Sequence, residues 1–153
     1  MTIGAQPRYE GAQVLDAGPL RMVTVSVIAD KDYLALARTS AMHVGALLSL
    51  PLARVSDLRL AVNEACACFL DAAARHVPSD WAASPLSQML ELAYDRYPGE
   101  LHVTVRAAVD EDWPRVDELG WAMLGALVGD VRAQVRHGQG TLTLIQPLPE
   151  RTG

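Results

Sequence analysis

The sequence predicts a two-layer α+β sandwich, in which three helices cover one face of a mixed, mostly antiparallel sheet. Two observations lead to this fold class. Segments of alternating and of helical hydrophobicity follow one another in the order β-α-α-β-β-α-β-β, and two pairs of consecutive strands are separated only by short turns, as in hairpins. Three helices beside a single sheet then pack most simply as one layer on the other.

Composition and charge exclude several classes of protein. The 153-residue chain is 50% hydrophobic and carries a net charge of −5. An apolar fraction of this size can offset the entropy of ordering the chain, which excludes an intrinsically disordered protein. The acidic balance argues against nucleic-acid binding by phosphate neutralisation. Because no signal-peptide pattern and no long apolar run is present, we expect a cytoplasmic protein without membrane contact.

The chain reads as one domain preceded by a tail. Residues 1–20 lack periodicity and contain two prolines and three glycines, so we expect a flexible N-terminal tail. The folded domain is expected over 21–149. Within it, the segment 76–87 is rich in Pro, Ser and Ala, which is typical of a surface loop.

The first half of the domain predicts one strand and two helices. Alternating valines indicate a strand over 21–29 with one buried face. A helix over 30–48, capped by its first residue, follows. Ser56 is an expected N-cap of the second helix, with Val55 and Leu60 placed as a hydrophobic staple. The expected apolar stripe of this helix is Leu58, Val62, Ala65, Phe69 and Ala73.

The second half predicts a hairpin, a short helix and a closing hairpin. The expected elements are strands over 90–96 and 101–109, a helix over 119–129, and strands over 131–137 and 141–148. Pro98 and Gly99 form the first turn, and residues 138–140 the second. The acidic segment 110–118 is unspaced, which favours a solvated loop over a metal site.

Candidate chemistry concentrates on the second helix. Glu64 lies in the middle of this helix and could act as a general base or orient a metal-bound water, although a solvated helix-face glutamate shows the same pattern. The carbonyl of Asn63 could bind Mg²⁺ or belong to a polar helix rim. Cys66 and Cys68 point apart on a helix, so we expect neither a shared metal nor a disulfide. No nucleophile elbow or phosphate-binding loop is found.

The segment DLRLAVNEACACFL resembles the N-box helix of the GHKL (Bergerat) ATP-binding fold in its anti-sigma branch, the RsbW and SpoIIAB type of switch-protein kinase. The later segment ELGWAMLGALVGDVRAQV resembles the C-terminal helix and strand of the same family. The resemblance covers residues 21–148 and is greatest to actinobacterial, UsfX-like members. It implies the GHKL arrangement of one sheet with three helices on a single face.

At the nucleotide site the resemblance is incomplete. Glu64 matches the family's catalytic glutamate, but Cys68 stands at the position of the Mg²⁺-ligating asparagine. The adenine-binding D-x-G motif falls on residues 107–109, which read Ala-Ala-Val, and the ATP lid is shortened to about a dozen residues. Gly120 remains from the second glycine box. The remaining nucleotide-binding candidates are Asn63, Glu64 and Gly120. We therefore expect no bound cofactor; ATP and Mg²⁺ would be needed only by an active kinase.

The partner-binding part of the pattern is retained. LALARTS places Arg38 where the family has a contact arginine for the sigma factor and the antagonist. The resemblance implies a dimeric anti-sigma factor in stress-response transcription, which sequesters an alternative sigma factor and is released by a STAS-type anti-anti-sigma protein. Two alternatives stay open: an active ATP-dependent serine kinase that phosphorylates the antagonist, with Glu64 catalytic, and a GHKL-like module for another signalling partner.

Overall fold

The computed structural model describes residues 18–75 and 89–150. Almost all of the tail expected over 1–20 lies outside the described residues, and so does the whole loop expected over 76–87. Both remain predictions. The described residues contain the five strands and three helices that the sequence predicts, in the predicted order.

The sheet is wholly antiparallel and not mixed as predicted, with the strand order β1-β2-β3-β5-β4. The strands are β1 Leu20–Ile28, β2 Met89–Tyr97, β3 Glu100–Ala108, β4 Asp130–Arg136 and β5 Gln139–Pro147. The helices are α1 Leu34–Leu47, α2 Leu52–Arg75 and α3 Glu118–Leu127. Strands β1 and β4 form the two edges. Within the described part of the chain, no helix is both long and apolar enough to cross a membrane.

The core lies between the helices and one face of the sheet. Because side chains alternate across a strand, every second residue of β2, β3 and β5 points toward the helices. The largest fully buried side chains are Tyr94, Phe69, Leu58, Leu90, Leu92, Leu101, Leu142 and Leu144. For the side chains that the structure describes, the alternation and helical stripes in the sequence therefore identified the buried faces, while the burial of Ala73 lies outside the described residues. The two-layer α+β fold is confirmed.

One buried polar contact joins the two layers. The Tyr94 hydroxyl on β2 lies 2.6 Å from the Ser40 hydroxyl on α1. Ser40 donates its own proton to the Ala37 carbonyl at 2.7 Å, so Tyr94 donates to Ser40. This satisfies a polar group whose side chain is fully buried.

The predicted N-cap of α2 is wrong. The helix begins at Leu52, four residues before Ser56, and the Pro51 carbonyl accepts hydrogen bonds from the Arg54 and Val55 amides at 2.8 and 3.0 Å. Pro51 is therefore the N-cap residue of α2, because its carbonyl accepts the first hydrogen bonds of the helix. Val55 is buried against Gly45 of α1, where an added Cβ would lie 3.1 Å from the Val55 side chain.

The other helix ends differ from prediction by a few residues. Asp30 caps a 3-10 turn, Lys31–Tyr33, through a 2.8 Å bond from the Asp32 amide, and α1 follows this turn. The N-cap of α3 is Asp117, whose carboxylate accepts from the Gly120 amide at 2.8 Å. Local side-chain caps therefore shift helix starts that periodicity alone cannot place.

Candidate functional site

Arg38 and Asn63 lie in contact across the α1–α2 packing. The Arg38 guanidinium (Nη1) donates to Asn63 Oδ1 at 2.9 Å, and both side chains are half-buried. Asn63 Nδ2 lies 3.5 Å from Glu64 Oε1, at the outer limit of a hydrogen bond. The other guanidinium N–H groups have no partner among the described residues. The structure thus joins Arg38, expected at a protein interface, with Asn63, expected at a nucleotide.

Exposed apolar side chains border this contact. Met42 follows Arg38 by one helical turn and is 46% exposed, and Leu60 precedes Asn63 by one turn and is 45% exposed. We call Arg38, Met42, Leu60 and Asn63 the α1–α2 surface. An arginine flanked by exposed, flexible apolar side chains is typical of the centre of a protein–protein interface, where Arg and Met are enriched.

Glu64 and Cys68 lie one turn apart on a different side of α2. Both side chains are half-buried. The Cys68 thiol donates to the backbone carbonyl of Glu64 at 3.2 Å. Cys66 is fully buried, and burial raises the pKa of its thiol to about 12, with a smaller contribution from neighbouring Cys68. Cys66 therefore stays a neutral thiol in the core.

Trp113 packs against the same part of α2. Its indole Nε1 donates to the Cys68 carbonyl at 3.1 Å, and its ring stacks on Phe69 with centroids 4.7 Å apart. Only 4% of the residue is exposed. A buried, hydrogen-bonded tryptophan contributes both a large apolar area and an oriented polar contact. The loop between β3 and α3 is therefore anchored to α2.

The opposite side of the indole faces the sheet. A Cβ added at Gly140 of β5 would lie 2.9 Å from the Trp113 ring and 2.9 Å from Val109 Cγ1. Only glycine allows so close an approach. The Val109 amide in turn donates to the Gly138 carbonyl at 3.0 Å. Trp113 thus fills the space between α2 and the adjoining ends of β3 and β5.

Gly120 has a structural role at the start of α3. Its amide donates to the N-cap Asp117, and an added Cβ would lie 2.6 Å from Val116 Cγ1. The close approach of the Val116 side chain, and not the cap hydrogen bond, favours glycine at this position. Asn63 and Glu64 are neighbours on α2, and Gly120 lies in the first turn of α3.

Sequence reasoning did not identify Trp113 as a site residue. The available signal is a tryptophan placed between Asp112 and Pro114 in an otherwise acidic segment. Such a large apolar side chain is out of place in a solvated loop. No group of three or more metal-ligating side chains converges within the described parts of the chain.

Comparison with known proteins gives two structural likenesses. Neither a family model nor a curated protein sequence matches the chain. The crystal structure of the RsbU and RsbW domains of Rv1364c from Mycobacterium tuberculosis is similar, with a TM-score of 0.58 and 21% identity over 85% of this chain. That match spans 34% of the other chain. The crystal structure of the SiaB-SiaC complex from Pseudomonas aeruginosa is also similar, with a TM-score of 0.60 and 8% identity.

The match to the SiaB-SiaC complex structure covers 92% of this chain and 96% of the other chain. Identities this low establish the fold alone. The chain has the RsbW-like, GHKL-type fold that its N-box segment predicts, with three helices on one face of an open sheet.

Proposed function

We propose that this protein is an anti-sigma factor of the RsbW type that works without a nucleotide. It sequesters an alternative sigma factor, and a STAS-type anti-anti-sigma protein releases it. The observation that carries the proposal is Trp113, whose indole fills the space between α2 and the sheet in a fold whose relatives include an RsbW domain structure. The fold is kept for binding a protein, while the cleft beside the N-box is filled.

The residues present do not fit Mg²⁺ and ATP. Mg²⁺ requires hard oxygen ligands, and the ligand position of the N-box holds the Cys68 thiol. The side-chain oxygen of nearby Asn63 (Oδ1) already accepts a hydrogen bond from the Arg38 guanidinium. The positive charge of this guanidinium would repel a Mg²⁺ ion bound to the same oxygen. Val109 stands at the glycine of the adenine motif and lies beside the Trp113 ring. Metal and adenine contacts are therefore both missing.

Partner binding is assigned to the α1–α2 surface. Arg38 is held at one nitrogen by Asn63, and its remaining N–H groups have no partner among the described residues. A guanidinium fixed in this way can form a bidentate pair with a carboxylate of the partner at little entropic cost. Met42 and Leu60, both exposed, supply apolar area around that pair. An acidic helix of a sigma factor has the matching chemistry.

Release then follows from competition. If the sigma factor and the antagonist both bind the surface around Arg38, each excludes the other, and the bound fraction depends on their concentrations and affinities. No phosphate transfer is required for this exchange. Regulation of the antagonist, by phosphate or by redox state, would lie outside this chain.

A second candidate is binding of a signalling partner other than a sigma factor. The nearly full-length match to the SiaB-SiaC complex structure favours it, because that fold is there part of a two-protein assembly.

Retention of Glu64 at the N-box position is the observation that favours an active serine kinase, but the residue one helical turn after Glu64, Cys68, offers no oxygen ligand for Mg²⁺.

A transcription assay separates these functions. RNA polymerase carrying each alternative sigma factor of the source organism is incubated with the purified protein in nucleotide-free form before a single round of initiation. We expect inhibition with one sigma factor and its reversal by the STAS protein. Inhibition with none of them contradicts the anti-sigma function and leaves the second candidate, which cross-linking to STAS proteins then tests.

A further inference from the structure

A concave basic site lies on the face of the sheet that the helices leave open. Its volume is about 310 Å³, and it lies where β3, β5 and β4 adjoin the β4–β5 turn. Six residues line the site: Arg106, Gln134, Arg136, His137, Gln139 and Thr141. The α1–α2 surface belongs to the helical layer on the other side of the sheet, so the two sites are independent.

Strand register explains why these side chains converge. On the outer face, cross-strand partners form two rows, each with one residue from β3, one from β5 and one from β4. In that order, the rows are Arg106–Thr141–Gln134 and Ala108–Gln139–Arg136. The inward-facing neighbours, including Val105 and Leu142, are buried in the core. Because Ala108 contributes only a methyl group, the second row leaves room beside Arg106. The concavity arises from that small residue among long polar ones.

The two arginines of this site differ in their neighbours, since Glu91 of β2 is the cross-strand partner of Arg106 on this face, whereas Arg136 is paired with Gln139. Within the described residues, neither Arg106 nor Arg136 forms an ion pair. In contrast, Arg132 on the same strand pairs with Asp130 at 3.1 Å, and Arg21 on the same sheet face pairs with Asp95 at 2.8 Å. A chain with a net charge of −5 thus presents a local cationic site.

The spacing suits one shared ligand group. Arg106 and Arg136 lie two strands and two residues apart, which separates their Cα atoms by about 12 Å. At this Cα separation, the extended side chains of two arginines can contact the same ligand group placed between them. Between them, on β5, the Gln139 amide and the Thr141 hydroxyl can add neutral donors.

We propose that this site binds the phosphate group of a phosphate monoester. Three terminal oxygens and a charge approaching −2 match two guanidinium forks better than a carboxylate does, with its two oxygens and single charge. A phosphorylated protein side chain and a small metabolite share this chemistry, and the test below distinguishes them. The site does not depend on the anti-sigma function.

The test is a titration followed by ¹H–¹⁵N NMR at constant ionic strength. The probes are inorganic phosphate, ribose 5-phosphate and a tripeptide with a central phosphoserine. We expect saturable shifts confined to residue 106 and residues 134–141 with at least one monoester. Tighter binding of the tripeptide identifies a protein-borne phosphate, and tighter binding of the sugar phosphate identifies a metabolite.

Three exposed substitutions complete the experiment. Arg106→Gln and Arg136→Gln should each weaken binding at least about tenfold, since each removes charge-assisted hydrogen bonds. Arg132→Gln is the matched control on the same strand and face, and it should leave the affinity unchanged. Unsaturable shifts with every probe, or equal weakening by Arg132→Gln, would overturn the proposal, because both results indicate nonspecific attraction to surface charge.

Discussion

The indole nitrogen of Trp113 and the backbone carbonyl of Cys68 form a 3.1 Å hydrogen bond between residues 45 positions apart in the chain. This bond joins the β3–α3 loop to the helix that carries the N-box pattern. The thiol of Cys68 also bonds back to Glu64. The loop, the helix and the sheet therefore form one packed unit around Trp113.

Removal of the Trp113 side chain should strongly destabilise the protein. Trp113→Ala loses the stack on Phe69, the bond to Cys68 and the packing on Gly140. Urea unfolding should show a loss of about 3–5 kcal/mol, whereas Trp113→Phe, which keeps the stack, should lose less. Trp121→Ala is the control, because Trp121 is half-buried. Equal stability of Trp113→Ala and wild type would show that the loop is not anchored.

Charge reversal at Arg38 should weaken partner binding. Arg38→Glu removes the guanidinium and places a carboxylate against the same partner group, so calorimetry should show a loss of at least about 2 kcal/mol with the cognate sigma factor. Asn63→Ala frees Arg38 from its 2.9 Å contact and should give a smaller loss. Arg132→Glu, on the opposite face of the sheet, should bind normally. Unchanged affinity of a folded Arg38→Glu variant would remove Arg38 from the interface.

The protein is expected to form a homodimer through β1. This strand is an edge of the sheet, and its terminal residues Leu20 and Ile28 are 63% and 42% exposed. An unpaired edge can pair with a second copy. Light scattering at micromolar concentration should give twice 16.5 kDa, and the double substitution of Leu20 and Ile28 by Lys should restore the monomer. A wild-type mass of 16.5 kDa contradicts this prediction.

Stability should fall in alkaline solution because of two buried groups. Burial raises the pKa of Cys66 from 9.0 to about 12 and also raises the pKa of Tyr94 from 10.0. In both cases the folded-state pKa exceeds the unfolded one, so the stabilisation is complete below pH 9 and is lost as the pH rises toward 12. Each group changes the unfolding free energy by up to about 1.4 kcal/mol per pH unit in its window.

Urea unfolding at a series of pH values measures this slope. The Cys66→Ala variant should lose less stability between pH 9 and 11 than wild type. The Cys68→Ala control removes only the smaller contribution to the Cys66 pKa, so its slope should stay close to that of wild type. If Cys66→Ala and wild type decline in parallel, the buried thiol does not contribute to the alkaline transition.

Periodicity was sufficient for most of the fold. The alternation of Val103 and Val105 with polar neighbours is a local property, and so is the turn at Pro98 and Gly99. Both therefore predict the central hairpin without tertiary information. The start of α2 was misplaced because Ser56 satisfies a capping pattern, whereas Pro51 supplies the carbonyl that two amides use.

The candidate site could be predicted only in part, because its contacts are long-range. Arg38 was identified from a family motif and Asn63 from its place beside Glu64, but their contact joins residues 25 positions apart. Trp113 was missed because its environment is formed by residues of α2 and β5 that no local pattern connects to an acidic loop. Motifs show which residue types a helix or strand carries, but tertiary packing determines which of these residues come into contact.

The most direct test of nucleotide-independent sequestration is a calorimetric titration of the cognate sigma factor into the protein, with and without millimolar Mg²⁺ and ATP. We predict the same dissociation constant in both titrations and no labelled phosphate on the STAS antagonist. Binding that requires ATP, or phosphate transfer to the antagonist, would contradict the account and identify the protein as an active kinase.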